Sequence, residues 1–137
     1  MRRAVLRQGQ ADAVVAWPGD EEWESFHLAA VEPDGTVVGV VTFLDRMCPR
    51  RPGVFPARQL RGMAVAADRQ GTGVGTGLLA AGVERCRTEG AAVVWAHARE
   101  TAVDWYAAHG LAPEGEVYDH PVGERTMPHR AVVLDLG

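Results

Sequence analysis

The chain has 137 residues, 47% of them hydrophobic, and a formal net charge of −4 at pH 7. That length fits one domain over residues 1–137 with a sizeable core, and the apolar content excludes disorder as the default. With 14 Lys+Arg interspersed among 18 Asp+Glu, no electrostatic footprint for nucleic acid is present.

The longest apolar runs, such as AAVVWA at 91–96, are far too short to span a bilayer. MRRAVLRQGQ is basic but has no apolar stretch behind it, so no signal peptide is expected. Cys48 and Cys86 stand in unlike contexts and form no CxxC pair, which points to a reducing, cytoplasmic location.

In chain order, RRAVLR predicts a short helix and WPGDEEWES a polar, turn-rich stretch. FHLAAVE and TVVGVVTFL read as two strands joined through PDG, a strong hairpin signal. DRMCPRRPGVFP, with three prolines and a glycine, predicts a loop, its arginines solvated. ARQLRGMAVA is a third strand. LLAAGVERCRTE is a helix stopped by Gly90, AAVVWAHA a buried strand, and TAVDWYAAHG a short helix stopped by Gly110. LAPEGEVYDH and HRAVVLDLG close the pattern as two strands around a PVGERTMP loop. The order predicts an α/β domain with a mixed sheet.

Between the third strand and its helix lies DRQGTGVGTGLL, with glycine at positions 71, 73, 75 and 77. A glycine-rich turn running from a strand into a helix exposes unpaired N–H groups at the positive end of the helix dipole, an anion site. Glycine reaches the left-handed conformation that turns successive amides inward and lets a phosphate come close. Thr72 and Thr76 could add hydroxyl donors. The spacing excludes two common phosphate binders. A dinucleotide fingerprint started at Gly71 meets Thr76 where its third glycine belongs, and one started at Gly73 meets Leu78. A P-loop needs a lysine, and this region has none. The alternative is a tight turn whose small residues pack helix against sheet.

QGTGVG, Gln70 to Gly75, fits the Gln/Arg-x-x-Gly-x-Gly/Ala signature of the GNAT superfamily of acetyl-CoA-dependent N-acetyltransferases. Upstream, LRGMAV resembles the strand before that signature. Downstream, VVWAHARETAVDWYAAHGL resembles the family's next strand and its A-x-x-x-Y helix, with Ala102, Tyr106, Gly110 and Leu111 in the matching places. The tail EGEVYDHPVGERTMPHRAVVLDL is similar to the G-x-x-(F/Y)…P-H…strand ending of small bacterial-type members. The resemblance runs from about Phe26 to the C-terminus. It implies a mostly antiparallel central sheet, splayed open around an acyl-CoA site and flanked by helices. The N-terminal region would be shortened, with about 25 residues where the family has a strand and two helices walling the acceptor.

The same resemblance implies acetyl-CoA as co-substrate, direct transfer of its acetyl group to a primary amine, and a set of site residues. The pantetheine arm would bond to the main chain of Met63, Ala64 and Val65. The pyrophosphate would lie on the amides of Gln70, Gly71, Thr72, Gly73, Val74 and Gly75, with Thr76 as a side-chain contact. Tyr106 would be the general acid to the departing thiolate, a phenol of pKa about 10 being protonated at neutral pH. Amides around Ala64 and Val65 would polarise the thioester carbonyl. Ala102 would give the cofactor access to the helix. Arg99, where many members carry asparagine, could reach a cofactor carbonyl or phosphate.

The strand ARQLRGMAV offers no acidic residue as general base, leaving His27, Asp45, His97 and His129 as candidates. Cys48 has no nameable base, which argues against an acyl-cysteine route, and no metal-ligand spacing exists. As acceptor the resemblance implies a primary amine of a small molecule or a peptide. The acidic net charge favours cationic amines, whereas the RMCPRRP loop could meet a carboxylate. Open sheet edges could be covered by a second subunit, giving a homodimer. The competing function is a non-catalytic acyl-CoA sensor or partner domain on the same scaffold.

Overall fold

A computed structural model describes residues 26–136 throughout, together with the strands β1 (Val5–Leu6) and β2 (Ala13–Trp17). Then follow β3 (Phe26–Val31), β4 (Val37–Asp45), β5 (Ala57–Val65), α1 (Val74–Thr88), β6 (Val93–Arg99), α2 (Val103–Ala108), β7 (Ala112–Val122) and β8 (Arg125–Asp135). The eight strands of the described residues form one sheet in the order β1-β2-β3-β4-β5-β6-β8-β7. Among the described strands only β5 and β6 run parallel, joined through α1, so the sheet is mixed, as the element order predicts, and mostly antiparallel, as the resemblance implies.

Three expectations need correction. The helix predicted over RRAVLR is a strand at Val5–Leu6, the rest of that segment lying outside the described residues, as does most of the turn-rich WPGDEEWES. Two β-branched or leucine residues gain more from pairing with Val14 and Val15 of β2 than from an isolated turn of helix. The first strand is thus not FHLAAVE, because β1 and β2 extend the sheet beyond it. The PVGERTMP loop shrinks to a turn at Gly123–Glu124, since Pro121 and Pro128 take edge-type positions and β7 and β8 pair out to Val122 and Arg125.

Local chemistry sets the element ends. Gly35 (φ +91°) closes the β3–β4 hairpin, donating to Glu32 O at 2.8 Å while Asp34 Oδ1 accepts from the Thr36 amide at 2.8 Å. Both helices end in the same double-bonded glycine turn. Gly90 bonds to Arg87 O and Ala91 to Cys86 O, and Gly110 bonds to Ala107 O and Leu111 to Tyr106 O. α1 starts four residues earlier than predicted, at Val74, and takes Gly75, Thr76 and Gly77 into its first turn.

The helix-side core joins both helices to the sheet through Phe43, Leu60, Leu78, Val94, Val103, Tyr106, Leu111 and Val132. Two glycines let α1 sit close. A Cβ on Gly82 would stand 2.1 Å from the Phe43 ring, and one on Gly39 would stand 2.7 Å from Val74. On the opposite face a smaller cluster of Cys48, Ala57, Val93, Trp95 and Val133 is capped by the loop after β4. That loop is held by an ion network rather than bathed in solvent. Arg51 donates to both carboxylate oxygens of Glu114 (2.8 and 2.6 Å) and of Asp135 (2.9 and 3.0 Å), and it holds both acids below the usual carboxylate range. The expectation that these arginines are solvated, or meet a substrate carboxylate, therefore fails at Arg51.

Candidate active site

β5 and β6 pair only at Ala57–Val93, Arg58–Val94 and Gln59–Trp95. Beyond Gln59 they part, leaving the β6-facing edge of β5 without a strand partner. A bulge accompanies the parting. Thr42 faces Arg61 and Val40 faces Ala64, so Gly62 and Met63 together oppose Val41, with Gly62 at φ +62°. The extra residue reverses the alternation of the strand. Before it, the even-numbered Arg58 and Leu60 lie on the helix side, Arg58 3.8 Å from Glu89; after it, Met63 and Val65 do.

Past β5 the chain makes a single 3-10 turn at Ala67–Arg69 and then the glycine turn. Gly71 (φ +80°) and Gly73 (φ +95°) are left-handed, and a Cβ on either would meet no atom within 4 Å. Both therefore serve backbone geometry and open space rather than packing, whereas Gly75 lies at ordinary contact distance from Trp105. The first helical bond runs from Gly77 N–H to Gly73 O at 2.9 Å, so the amides of Val74, Gly75 and Thr76 precede it. Thr72 is used differently: its amide and its hydroxyl both donate to Arg69 O. The Thr76 hydroxyl lies 3.0 Å from His109 Nε2, and His109 Nδ1 lies 2.7 Å from Trp105 O. A carbonyl only accepts, so Nδ1 carries the hydrogen and, in the neutral ring, Nε2 accepts from Thr76. The hydroxyl expected to donate to phosphate thus has His109 as its partner in this structure, while Thr76 still lines the cleft.

Two clefts meet at the splay. One, of about 670 Å³, is lined by the glycine turn, Arg69, Thr76, Val65 and Trp105. The other, of about 510 Å³, is lined by Gln59 to Met63 and by His97, Arg99, His120, Val122 and His129. Met63, Ala102 and Tyr106 line both. Tyr106 is 9% exposed, and burial pushes its phenol above the ordinary value of 10, so it stays protonated at neutral pH.

The second cleft carries three histidines on the sheet face opposite the helices. The His97 and His120 rings stack at 4.1 Å, and His120 lies 4.9 Å from His129. His97 Nδ1 is 2.5 Å from the Tyr118 hydroxyl. Burial first, then the charges of His120, His129 and Arg61, lowers His97 to about 4. His120 is lowered by the same kinds of cause. His129, 4% exposed, donates Nδ1–H to Met127 O at 2.8 Å. Among the described residues no group of three or more His, Cys, Asp or Glu is arranged to hold a metal ion.

Of the residues predicted as site residues, Met63, Val65, Gln70, Gly71, Gly73, Gly75, Thr76, Ala102 and Tyr106 come together around the first cleft. Arg99 lines the second. The side chains of Ala64, Thr72 and Val74 line neither, Val74 being buried against Gly39. Among the four base candidates, His97 and His129 reach the second cleft. His27 instead bonds Thr42 across the β3–β4 pair at 2.7 Å, and Asp45 lies 3.5 Å from Arg58. Cys48 is buried and its thiol is raised by burial, which makes it a poor nucleophile; Cys86 is pushed up to about 12. Sequence reasoning missed Arg61, Tyr118 and His120. The i, i+2 spacing of Tyr118 and His120 was the available signal, because it puts both on one face of a strand.

The family model described as the acetyltransferase (GNAT) family matches residues 5–111. Solved structures share the fold at low identity. An acetyltransferase of the GNAT family from Staphylococcus aureus Mu50 has TM-score 0.63 at 16% identity, over 82% of this chain and 68% of that one. An IAA acetyltransferase from Bacillus cereus ATCC 14579 has TM-score 0.62 at 18% identity, over 82% and 78%. An aminoglycoside 6'-N-acetyltransferase complexed with coenzyme A has TM-score 0.66 at 16% identity, over 84% and 74%. No curated protein matches the chain significantly by sequence.

Proposed function

The chain belongs to the acetyltransferase (GNAT) family, and on that premise we propose that it transfers an acetyl group from acetyl-CoA directly to a primary amine, with Tyr106 as general acid. The observation that carries this reading is the shared wall: Tyr106 borders both the cleft at the glycine turn and the cleft beyond the splay. A side chain in that position can serve a thioester entering from one side and an amine entering from the other.

The residues present fit acetyl-CoA. Left-handed Gly71 and Gly73, with open space at their Cβ positions, leave room for a diphosphate against the amides that open α1. The unpartnered edge of β5 from Met63 to Val65 offers main-chain groups to the amides of a pantetheine arm. When bound, acetyl-CoA supplies an activated acyl thioester. The chain's own part is to hold, orient and move protons. The Val65 amide, which faces away from β4 while Ala66 donates to Val38 O, polarises the carbonyl; the Ala64 amide is turned into the β4 ladder instead. Tyr106 holds the proton that the leaving sulfur needs. His129 takes the proton from the amine, because its Nδ1–H is committed to Met127 O and its Nε2 keeps the lone pair. His97, lowered to about 4, is too weak a base for that task near neutrality.

The experiment is thiol release from acetyl-CoA with a panel of primary amines, run beside calorimetric titration with coenzyme A. Amine-dependent release that collapses in Tyr106→Phe supports the reading. Coenzyme A binding with no amine accelerating release would establish the sensor function instead.

A further inference from the structure

We propose that the acceptor amine carries an anionic group, a carboxylate or phosphonate, which Arg61 and Arg99 receive in the cleft beyond Tyr106. This rests on the acetyl-transfer reading and adds the class of acceptor. The first support is charge distribution. The chain is acidic overall, at −4, yet the cleft lining holds two arginines and three histidines, with no Asp or Glu among the described lining residues.

The second support is what the arginines lack. Arg51, Arg58, Arg69, Arg85 and Arg87 each lie within 4.0 Å of a carboxylate. Arg61 and Arg99 are exposed and make no ion pair or hydrogen bond with the described residues. They come from the two strands that part at the splay, one on each wall. Arg61 is near enough to His97 and His120 for its charge to act on both. Guanidinium forks on both walls suit a carboxylate or phosphonate, either of which presents a pair of oxygens that a fork can bind bidentately.

The chemistry of attack agrees. Only a neutral amine is nucleophilic, and nearby guanidinium groups disfavour the ammonium form of an acceptor while holding its anion. A polyamine has the opposite requirement: several cations would have to enter a cleft whose described lining offers no carboxylate. The overall acidity, which favours cationic amines when read from composition, is therefore misleading at the place where the acceptor would sit.

The test uses matched pairs in the thiol-release assay: leucine against leucinamide, phenylalanine against phenylalaninamide, 2-aminoethylphosphonate against ethylamine, with spermidine as the polycation. The anionic member of each pair is expected to show kcat/KM higher by about tenfold or more, mostly through KM. In R61Q and R99Q that ratio should fall toward unity, through a rise in the anionic member's KM. Leucine and 2-aminoethylphosphonate together distinguish carboxylate from phosphonate. Equal rates within pairs, or preference for spermidine or the amides, would overturn the inference while leaving acetyl transfer standing. If no amine is acetylated although coenzyme A binds, the acetyl-transfer reading fails and the acceptor class falls with it.

Discussion

His129 gives its Nδ1 hydrogen to the carbonyl of Met127 at 2.8 Å, and that one bond fixes which nitrogen of the ring is basic. Met127 and His129 both lie on β8, so the ring is held by its own strand and faces the cleft as part of a sheet rather than a loop. His129→Gln should lower kcat for amine acetylation by about 10²–10⁴-fold, the usual worth of a positioned base. Coenzyme A affinity, read by calorimetry, should be retained. Equal loss of cofactor binding would mean that the ring only supports the fold.

Tyr106→Phe should cost a similar ~10²–10⁴-fold in kcat. Burial raises the phenol, so the proton-donating form persists past the ordinary tyrosine value of 10. In the pH profile of the wild type, the alkaline limb assigned to Tyr106 should therefore lie above pH 10. A limb at pH 9 that disappears in Tyr106→Phe would contradict the burial argument.

His97 couples pH to stability. Its folded value of about 4 lies below the ordinary 6.5, so the unfolded chain binds the extra proton first. The contribution is present above pH 6.5 and is lost as pH falls toward 4. Unfolding midpoints in urea should decline from pH 7 to pH 4.5, and His97→Asn should flatten that decline. His120, lowered in the same direction, keeps the slope from vanishing.

Gly82→Ala puts a methyl group 2.1 Å from the rigid Phe43 ring, which cannot swing aside as the tip of a long side chain can. Overpacking of this kind costs about 1–3 kcal/mol, seen as a lower denaturant midpoint at unchanged slope. Phe43→Leu in the same background should restore part of the loss.

Gly73→Ala forces a Cβ onto a residue at φ +95°, at a cost of about 1–2 kcal/mol. No neighbour clashes with that Cβ, so the strain is backbone strain alone. Coenzyme A binding should weaken as well, because the substitution disturbs the amides that open α1. Gly35→Ala, in the remote hairpin at φ +91°, should destabilise without touching coenzyme A affinity.

Much of this was legible in the chain. Strand alternation, the PDG turn and the stop glycines at 90 and 110 predict the elements from Phe26 to Asp135 in their observed order. The glycine turn and Tyr106, singled out by the family resemblance, do line the first cleft, because a glycine turn and a helix motif are local patterns that a sequence carries directly. The second cleft was harder to see. His97, His120 and His129 come from three strands, and only the antiparallel register of β6, β8 and β7 brings them side by side. The N-terminal strands escaped because pairing, not local propensity, makes Val5–Leu6 extended. Arg51 read as a solvated charge because its partners lie 63 and 84 residues away.

The doubled residue opposite Val41 has a consequence for how the molecule could vary. Removing Gly62 would barely shorten β5; it would roll half of it over, sending Met63 and Val65 outward or turning Arg61 toward the helices. A one-residue deletion at this point should therefore be far less tolerable than a longer insertion at the Gly123–Glu124 tip, where added chain only lengthens a ribbon already facing water.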